Sequence, residues 1–338
     1  MASTLGNTMR AATWKSNAGG LPKNIYINSS YPLPKAAESL PAGSTLVKVA
    51  YASLNPVDLK IAEAPIIGRA LLARGVPGSD FSGTVVQSTL PHLKPGDQVY
   101  GFTDLPKFGA CAEYLIAPKS NIVKIPQGVS LEQAAPLAIA GLTAYQTVAP
   151  FVRPGDKVLI NGGSGGVGAN TVQIAKALGC HVTATCSGAN VEFVKSLGAD
   201  EVIDYRTNDL VATLTRSGVQ FDHIIDNVFA DAKLYWSAHK YLKPGKQYVT
   251  IAGSPKLSVI RDMLSIYLWP KFLGGGQRHF GFVTCTSKVE EHEIVANMVK
   301  DGKVKVEIEK VYALEETGKA YERLASGRVR GKLVVKVA

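Results

Sequence analysis

These 338 residues contain no C-x-x-C pair, no long uncharged apolar run and no block of consecutive basic residues. Each absence removes a class of protein. Cys111, Cys180, Cys186 and Cys285 form neither a disulfide framework nor a zinc knuckle, so a reducing, cytoplasmic compartment is expected. The most apolar stretch, LSVIRDMLSIYLWP at 257–270, is broken by Arg261 and Asp262 and stopped by Pro270. It is too short and too charged to span a bilayer. The opening MASTLGNTMRAATW has no apolar signal core. A formal net charge of +10 raises the question of nucleic acid. Aromatic residues are not interleaved with the Lys and Arg, so the charge is read as that of a basic protein with small anionic ligands and no nucleic-acid partner.

What is present divides into patterned regions. Residues 9–128 read as short strands and turns: STLVKVAYASLN alternates β-branched residues, and GSDFSGTVVQS and GDQVYGF follow, with KPGD between them as a turn. No long helical period is found there. From Ser130 the pattern changes. SLEQAAPLAIAGLTAYQTVA begins with a capping pair, Ser130 and Gln133, and is read as two helical pieces broken at Pro136. Strands and helices then alternate: KVLING, GGVGANTVQIAKALG, HVTATC, NVEFVKSLG, EVIDY, NDLVATLTRSG, FDHIID and QYVTIAG. Such alternation predicts right-handed crossovers and a parallel sheet. Two further helices, KVEEHEIVANMVKDG and ALEETGKAYERLASG, and a closing strand GKLVVKV follow. The expectation is an α/β chain in which 1–128 and 285–338 form one β-rich domain around an inserted doubly wound domain, 129–284.

Five glycines fall within the seven residues 162–168, and Gly163-Ser164-Gly165-Gly166-Val167-Gly168 fits G-x-G-x-x-G after a strand and at a helix start. In that setting the early glycines permit a tight turn, one at the helix start lets backbone approach a diphosphate, and the last lets helix and strand pack closely. Bare N–H groups and the helix dipole then face the anion. Ala169-Asn170 stand where a Walker loop needs Lys-Ser/Thr, so the pattern predicts a dinucleotide. The next strand ends TATCSGAN, without the Asp or Glu that holds the ribose hydroxyls of NAD. Ser187, Asn190, Tyr205 and Arg206 are read as the surroundings of a 2′-phosphate, which favours NADP(H). Tyr205 is also consistent with simple packing at a strand end.

SLNPVD, PGSDFSGTV, KPGDQVYG, GACAEY, AGLTAYQ, GGSGGVG, LGADEVIDY, FDHIIDNV and GKLVV occur in this order along most of the chain. Together they resemble the medium-chain dehydrogenase/reductase superfamily, in its quinone oxidoreductase and enoyl reductase branches. The resemblance implies a GroES-like domain beside a Rossmann nucleotide-binding domain. It also marks a departure. Zinc members carry a cysteine before the Asp of the first motif and GHE in the second. Here Ser53 occupies the cysteine region, Gly78-Ser79-Asp80 replaces GHE, and the four-cysteine structural lobe is missing. With the six histidines scattered, no metal site is expected. Without a Lewis acid on the alcohol oxygen, alcohol oxidation is disfavoured.

Metal-free members of this resemblance reduce activated C=C bonds or quinones with NADPH. Asn55 and Lys60 are the expected catalytic residues. Asn55 is read as a donor near substrate and nicotinamide, or as a turn residue before Pro56. Lys60 is read as a charge-neutralising proton donor, or as a surface lysine. Thr143 resembles a threonine that approaches the cofactor, and also fits a helix back-bond. Asn227, Val228, Ala252, Gly253, Gly331 and Lys332 are carried over as cofactor contacts, and Phe282 is placed near the nicotinamide end. Residues 256–279 read as a helix at a substrate pocket or subunit contact, or as an attachment to a lipid surface. Three functions stay open: a reductase of enones or quinones, a trans-acting enoyl reductase for acyl thioesters of a polyketide or fatty-acid synthase, and an NADPH-binding sensor without turnover. Either a monomer or a homodimer is compatible. The purified protein is expected to hold no stoichiometric zinc, and chelator treatment to leave its reductase rate unchanged. Zinc at about one equivalent per chain by elemental analysis would contradict the donor-set argument.

Overall fold

The computed structural model describes residues 6–16, 18–35, 39–64, 75–104, 108–251 and 257–338. Seven strands come first: β1 (Thr8–Thr13), β2 (Tyr26–Pro32), β3 (Ser44–Ser53), β4 (Asp80–Ser88), β5 (Gln98–Phe102), β6 (Tyr114–Pro118) and β7 (Ile122–Lys124). Six follow: β8 (Lys157–Asn161), β9 (His181–Cys186), β10 (Glu201–Asp204), β11 (Phe221–Asp226), β12 (Leu242–Thr250) and β13 (His279–Phe282). Strands β14 (Ile308–Ala313) and β15 (Lys332–Lys336) come last. The chain divides into two compact units. One comprises Met1–Leu142, Ser287–Asp301 and Ile308–Ala338, and the other Thr143–Thr286 and Gly302–Glu307.

In the first unit β1 and β2 form an antiparallel pair. A larger sheet runs β14-β15-β3-β4-β5-β7, with β6 also paired to β3. Strand β3 therefore has three neighbours, β4, β6 and β15. That explains why it is buried along most of its length instead of alternating, with Lys48 turned outward. Its Val47 and Val49 join Trp14, Phe81, Val99, Leu333 and Val335 in one core. The sequence pattern gave no helix here, yet Pro56–Ala62 is one. Seven residues are too few to show a period. The helix is set instead by Pro56 at its start and by the Asp58 carboxylate, which accepts the Asn55 N–H at 2.9 Å. After Ser130 the chain forms helix Leu131–Ala134, a 3₁₀ turn through Pro136, and helix Ile139–Val148. The expected capping pair is present, with Gln133 N donating to Ser130 Oγ and Ser130 N to Gln133 Oε1.

The second unit is built on a sheet in the order β10-β9-β8-β11-β12-β13, parallel throughout. Counting its strands along the chain, this is 3-2-1-4-5-6, the order of dinucleotide-binding folds, and it reverses direction at β8. Leu159, Phe221, Ile224, Tyr241 and Tyr248 fill one side of it. The helix Leu257–Leu268 buries Val259 and Ile266 against that core. Its other side leaves Leu257 81%, Ile260 43% and Leu264 53% exposed, and Trp269, Phe272 and Leu273 extend the apolar surface. Among the described residues no helix is long and apolar enough to cross a membrane.

His223 on β11 is buried, stacked on Phe151, with Nε2 2.7 Å from Thr147 O and Nδ1 3.0 Å from Gln247 O. Burial lowers its pKa to about 4, although both carbonyls pull it upward. An unfolded histidine titrates near ~6.5. Between that value and about 4 the unfolded chain binds a proton that the folded chain refuses, so stability falls as pH falls through this window. The full shift corresponds to roughly 3 kcal/mol. His223→Gln is expected to remove about one proton from the uptake on unfolding. Denaturant titrations at a series of pH values check this, and an unchanged slope would contradict the assignment.

Candidate active site

Two groups of residues, one in each unit, gather the positions singled out by the sequence. In the second unit the glycines divide their work. Gly162 has φ +83, a conformation open to glycine, and its N–H donates to Thr185 Oγ1 at 3.1 Å. A Cβ on Gly168 would lie 2.0 Å from Gly162 O, so this residue permits the close approach of helix Gly166–Ala177 to β8. Gly165, at the cap with φ −78, is different: a Cβ there would meet only Gly162 O at 3.9 Å. The first amides of a twelve-residue helix thus open onto space kept free of side chains.

Ser164, Ser187 and Asn190 come together beside this opening. Asn190 Nδ2 donates to Ser164 Oγ at 3.2 Å and to Ser187 Oγ at 3.3 Å. Tyr205 follows β10 with its N–H on Cys186 O at the end of β9, and is 50% exposed. One feature was missed in the sequence. Strand β9 ends without an acid, but Asp204 on the neighbouring β10 places Oδ2 2.6 Å from where a Cβ on Gly188 would stand. The surface is therefore not free of carboxylate, as the β9 segment alone suggested. Asp204 Oδ1 accepts the Arg206 N–H at 2.9 Å, which ties part of that charge to backbone.

On the other side of β8, Asn227 and Val228 follow β11 and reach the glycine loop. A Cβ on Gly162 would lie 3.7 Å from Asn227 Cβ and 2.6 Å from Val228 Cγ2. Both polar atoms of the Asn227 carboxamide are buried without a hydrogen-bond partner. Such a group needs a partner that the described protein atoms do not supply, a water or a ligand. Residues that fit a dinucleotide are thus present: open helix amides, small hydroxyl and amide groups to one side, and an unserved carboxamide to the other. Thr143 is buried on helix Ile139–Val148, and Phe282 is exposed at the end of β13. Ala252 and Gly253 lie outside the described residues.

The first unit holds a buried charged cluster. Asp58 accepts from Asn55 N at 2.9 Å, Ser79 Oγ at 2.7 Å and Tyr321 OH at 3.0 Å. Lys332 Nζ donates to Asn55 Oδ1 at 2.6 Å and Leu54 O at 3.0 Å, and lies 3.5 Å from Asp80 Oδ2. Burial raises the pKa of Asp58 and lowers that of Lys332. It pushes Asp80 up to about 7 against the opposing pull of Lys332. Two residues singled out by the sequence meet here. Asn55 Oδ1 accepts from Lys332 at 2.6 Å, and Nδ2 gives one of its two N–H groups to Ser79 Oγ at 3.2 Å. Lys332 is buried within the same cluster, its ammonium held by Leu54 O and Asn55 Oδ1. Gly331, with φ +71, makes the turn that leads Lys332 into β15. Lys60 stays accessible on helix Pro56–Ala62, and partial desolvation lowers its pKa.

Zinc does not fit this cluster. Its centre is the protein's own ammonium, with Ser79 and Asn55 in place of strong ligands. Cys111 Sγ would lie 3.0 Å from a Cβ on Gly78, but burial holds its thiol protonated. Among the described residues no three His, Cys, Asp or Glu side chains form a metal-holding group.

Residues 41–127 match the alcohol dehydrogenase GroES-like domain family, and 197–335 match the family described as zinc-binding dehydrogenase. The parallel 3-2-1-4-5-6 sheet with its glycine loop, in one chain with a GroES-like unit, defines a medium-chain dehydrogenase/reductase. The chain belongs to that superfamily, in its quinone oxidoreductase and enoyl reductase branch. It is 40% identical to the trans-enoyl reductase pgmF of Aspergillus terreus over 100% of this chain and 98% of that protein. It is 32% identical to the chloroplastic quinone-oxidoreductase homolog of Spinacia oleracea, over 97% and 98% of the two chains. The quinone oxidoreductase structure from Coxiella burnetii superimposes with a TM-score of 0.82 at 30% identity, over 98% of this chain and 99% of that one.

The division among the glycines is testable. Gly165→Val should fold with stability within about 1 kcal/mol of the parent and lose dinucleotide affinity by about a hundredfold or more. Gly168→Ala should instead cost about 3 kcal/mol or prevent folding, since its Cβ meets backbone. Thermal melts and NADPH fluorescence titrations read both effects. Undiminished binding by Gly165→Val would rule out the open helix mouth as the site.

Proposed function

We propose that the protein is a zinc-independent, NADPH-dependent reductase of the activated C=C bond of an enone, or of a quinone. The observation that carries this reading is the open Gly165 mouth with the unserved Asn227 carboxamide beside it. A bound nicotinamide supplies a hydride. The chain's residues do the rest. Helix amides at Gly165–Val167 hold the diphosphate, and Ser164, Ser187, Asn190 and Tyr205 surround the adenosine end, with the 2′-phosphate near Tyr205. The carboxamide of Asn227 orients the other half, with Thr143 and Phe282 nearby in role. Reduction of an enone builds negative charge on its carbonyl oxygen. Lys60, accessible and with its proton more loosely held than usual, neutralises that charge and delivers the proton. Asn55 acts as a positioning residue. Its N–H to Asp58 and its Oδ1 to Lys332 fix the start of the helix that bears Lys60.

A second reading is favoured by the similarity to a trans-enoyl reductase: the acceptor is an enoyl thioester carried by a polyketide or fatty-acid synthase. Deuterium tracing separates the readings. With [4-²H]NADPH and a panel of enones, quinones and acyl thioesters, label is expected at the β-carbon of the enone product. Oxidation with thioesters alone selects the second reading. Binding of NADPH with no turnover of any acceptor overturns both and leaves a sensor. Running the panel with NADH as well measures the cofactor preference, which Asp204 opposes and Tyr205 favours.

A further inference from the structure

Asp226 ends β11 with one of the most heavily used carboxylates in the molecule, and it is 1% exposed. Its Oδ1 accepts from Asn161 Nδ2 at 2.8 Å, Val228 N at 2.9 Å and Phe229 N at 2.8 Å. Its Oδ2 accepts from Tyr248 OH at 2.6 Å, and its carbonyl from Thr250 Oγ1 at 2.8 Å. The chain of bonds continues through Asn161 Oδ1, which accepts from Thr185 Oγ1 at 2.6 Å, to the N–H of Gly162. One buried network thus crosses the carboxyl ends of β12, β11, β8 and β9 and ends on the glycine loop.

The turn this carboxylate clamps is strained. Phe229 has φ +40, the sole positive φ of a non-glycine residue among the described residues. A side chain in that region is disfavoured and persists only where its surroundings hold it. Here the ring is buried and packs against Phe280 at 5.9 Å, while the N–H is fixed on Asp226. Between Asp226 and Phe229 sits Asn227, whose carboxamide is buried and unserved. Strain, buried charge and an orphaned amide within four residues are more than a turn between strand and helix needs.

We propose that Asp226 is a positioning residue for the nicotinamide half of the cofactor site, clamping the strained 227–229 turn so that the Asn227 carboxamide faces the ligand. The assignment to that half follows from the sheet. Ser187, Asn190 and Tyr205 lie on the β9–β10 side of β8, and the clamped turn lies on the β11–β12 side. A dinucleotide spans the two sides at the switch point. The proposal rests on the dinucleotide reading of the glycine loop.

The test compares two probes, NADPH and 2′-phosphoadenosine 5′-diphosphate, which has the adenosine and diphosphate but no nicotinamide nucleoside. Asp226→Ala is expected to weaken NADPH by about tenfold or more and the shorter probe by less than about threefold. Asp226→Asn keeps Oδ1 for its three donors, and is expected to hold NADPH within about threefold of the parent. If Asp226→Ala does not fold, Asp226→Ser takes its place, since one short hydroxyl leaves Asn161 and Tyr248 unserved. Equal loss for both probes marks a purely structural carboxylate and overturns the proposal, as does undiminished NADPH binding by the alanine and serine variants. Failure of the unsubstituted protein to bind either probe removes the dinucleotide reading, and this proposal with it.

Discussion

Helix and strand in the second unit approach one another more closely than a methyl group permits. A β-carbon at residue 168 would fall 2.0 Å from a backbone carbonyl oxygen. Because that carbon is missing, the helix can begin directly over the end of β8, and its first amides point outward from the sheet's switch point. The hydroxyls and amides gathered at the ends of β9 and β11 have meaning as a site only because the helix starts there. A helix displaced by one methyl thickness would leave the same residues as ordinary loop polar groups.

The first unit solves a different electrostatic problem. Two carboxyl groups and one ammonium are taken out of water together, and each is costly alone. Asp58 is served by three donors, whereas Asp80 Oδ2 has no hydrogen-bond partner and faces only the ammonium at 3.5 Å. Burial is what pushes Asp80 up to about 7, against the opposing pull of Lys332. The cluster also brings together Asn55 and Lys332, two positions that the family resemblance singled out separately. Both are polar residues at motif positions, joined by a 2.6 Å hydrogen bond, and the Lys332 ammonium is drawn chiefly by Asp80 and Asp58.

Local sterics made part of this legible in advance. The glycine loop, the capping pair at Ser130 and the strand–helix alternation depend on residues within a few positions, so sequence patterns report them directly. The short helix Pro56–Ala62 escaped because seven residues show no period. The Asp204 carboxylate escaped because it arrives laterally from β10, through a strand pairing that spacing along the chain does not report. The Asp226 network escaped for a related reason: Asn161, Thr185 and Tyr248 are ordinary strand residues until a parallel sheet aligns their ends, and Asp226 and Asn161 stand 65 positions apart. Burial cannot be read from composition either, and it decides whether Lys332 is a handle for ligands or a core cation.

Strand β15 inserts between β14 and β3, and Lys332 at its start completes a cluster begun at Asn55, 277 positions earlier. This fixes a timetable for synthesis. As the chain emerges from the ribosome, β3 waits for β15, which is translated only after every strand of the parallel sheet has appeared. The parallel sheet therefore has the opportunity to mature first, and the sheet around β3 is completed only afterwards, with a strand edge unfilled in the interval.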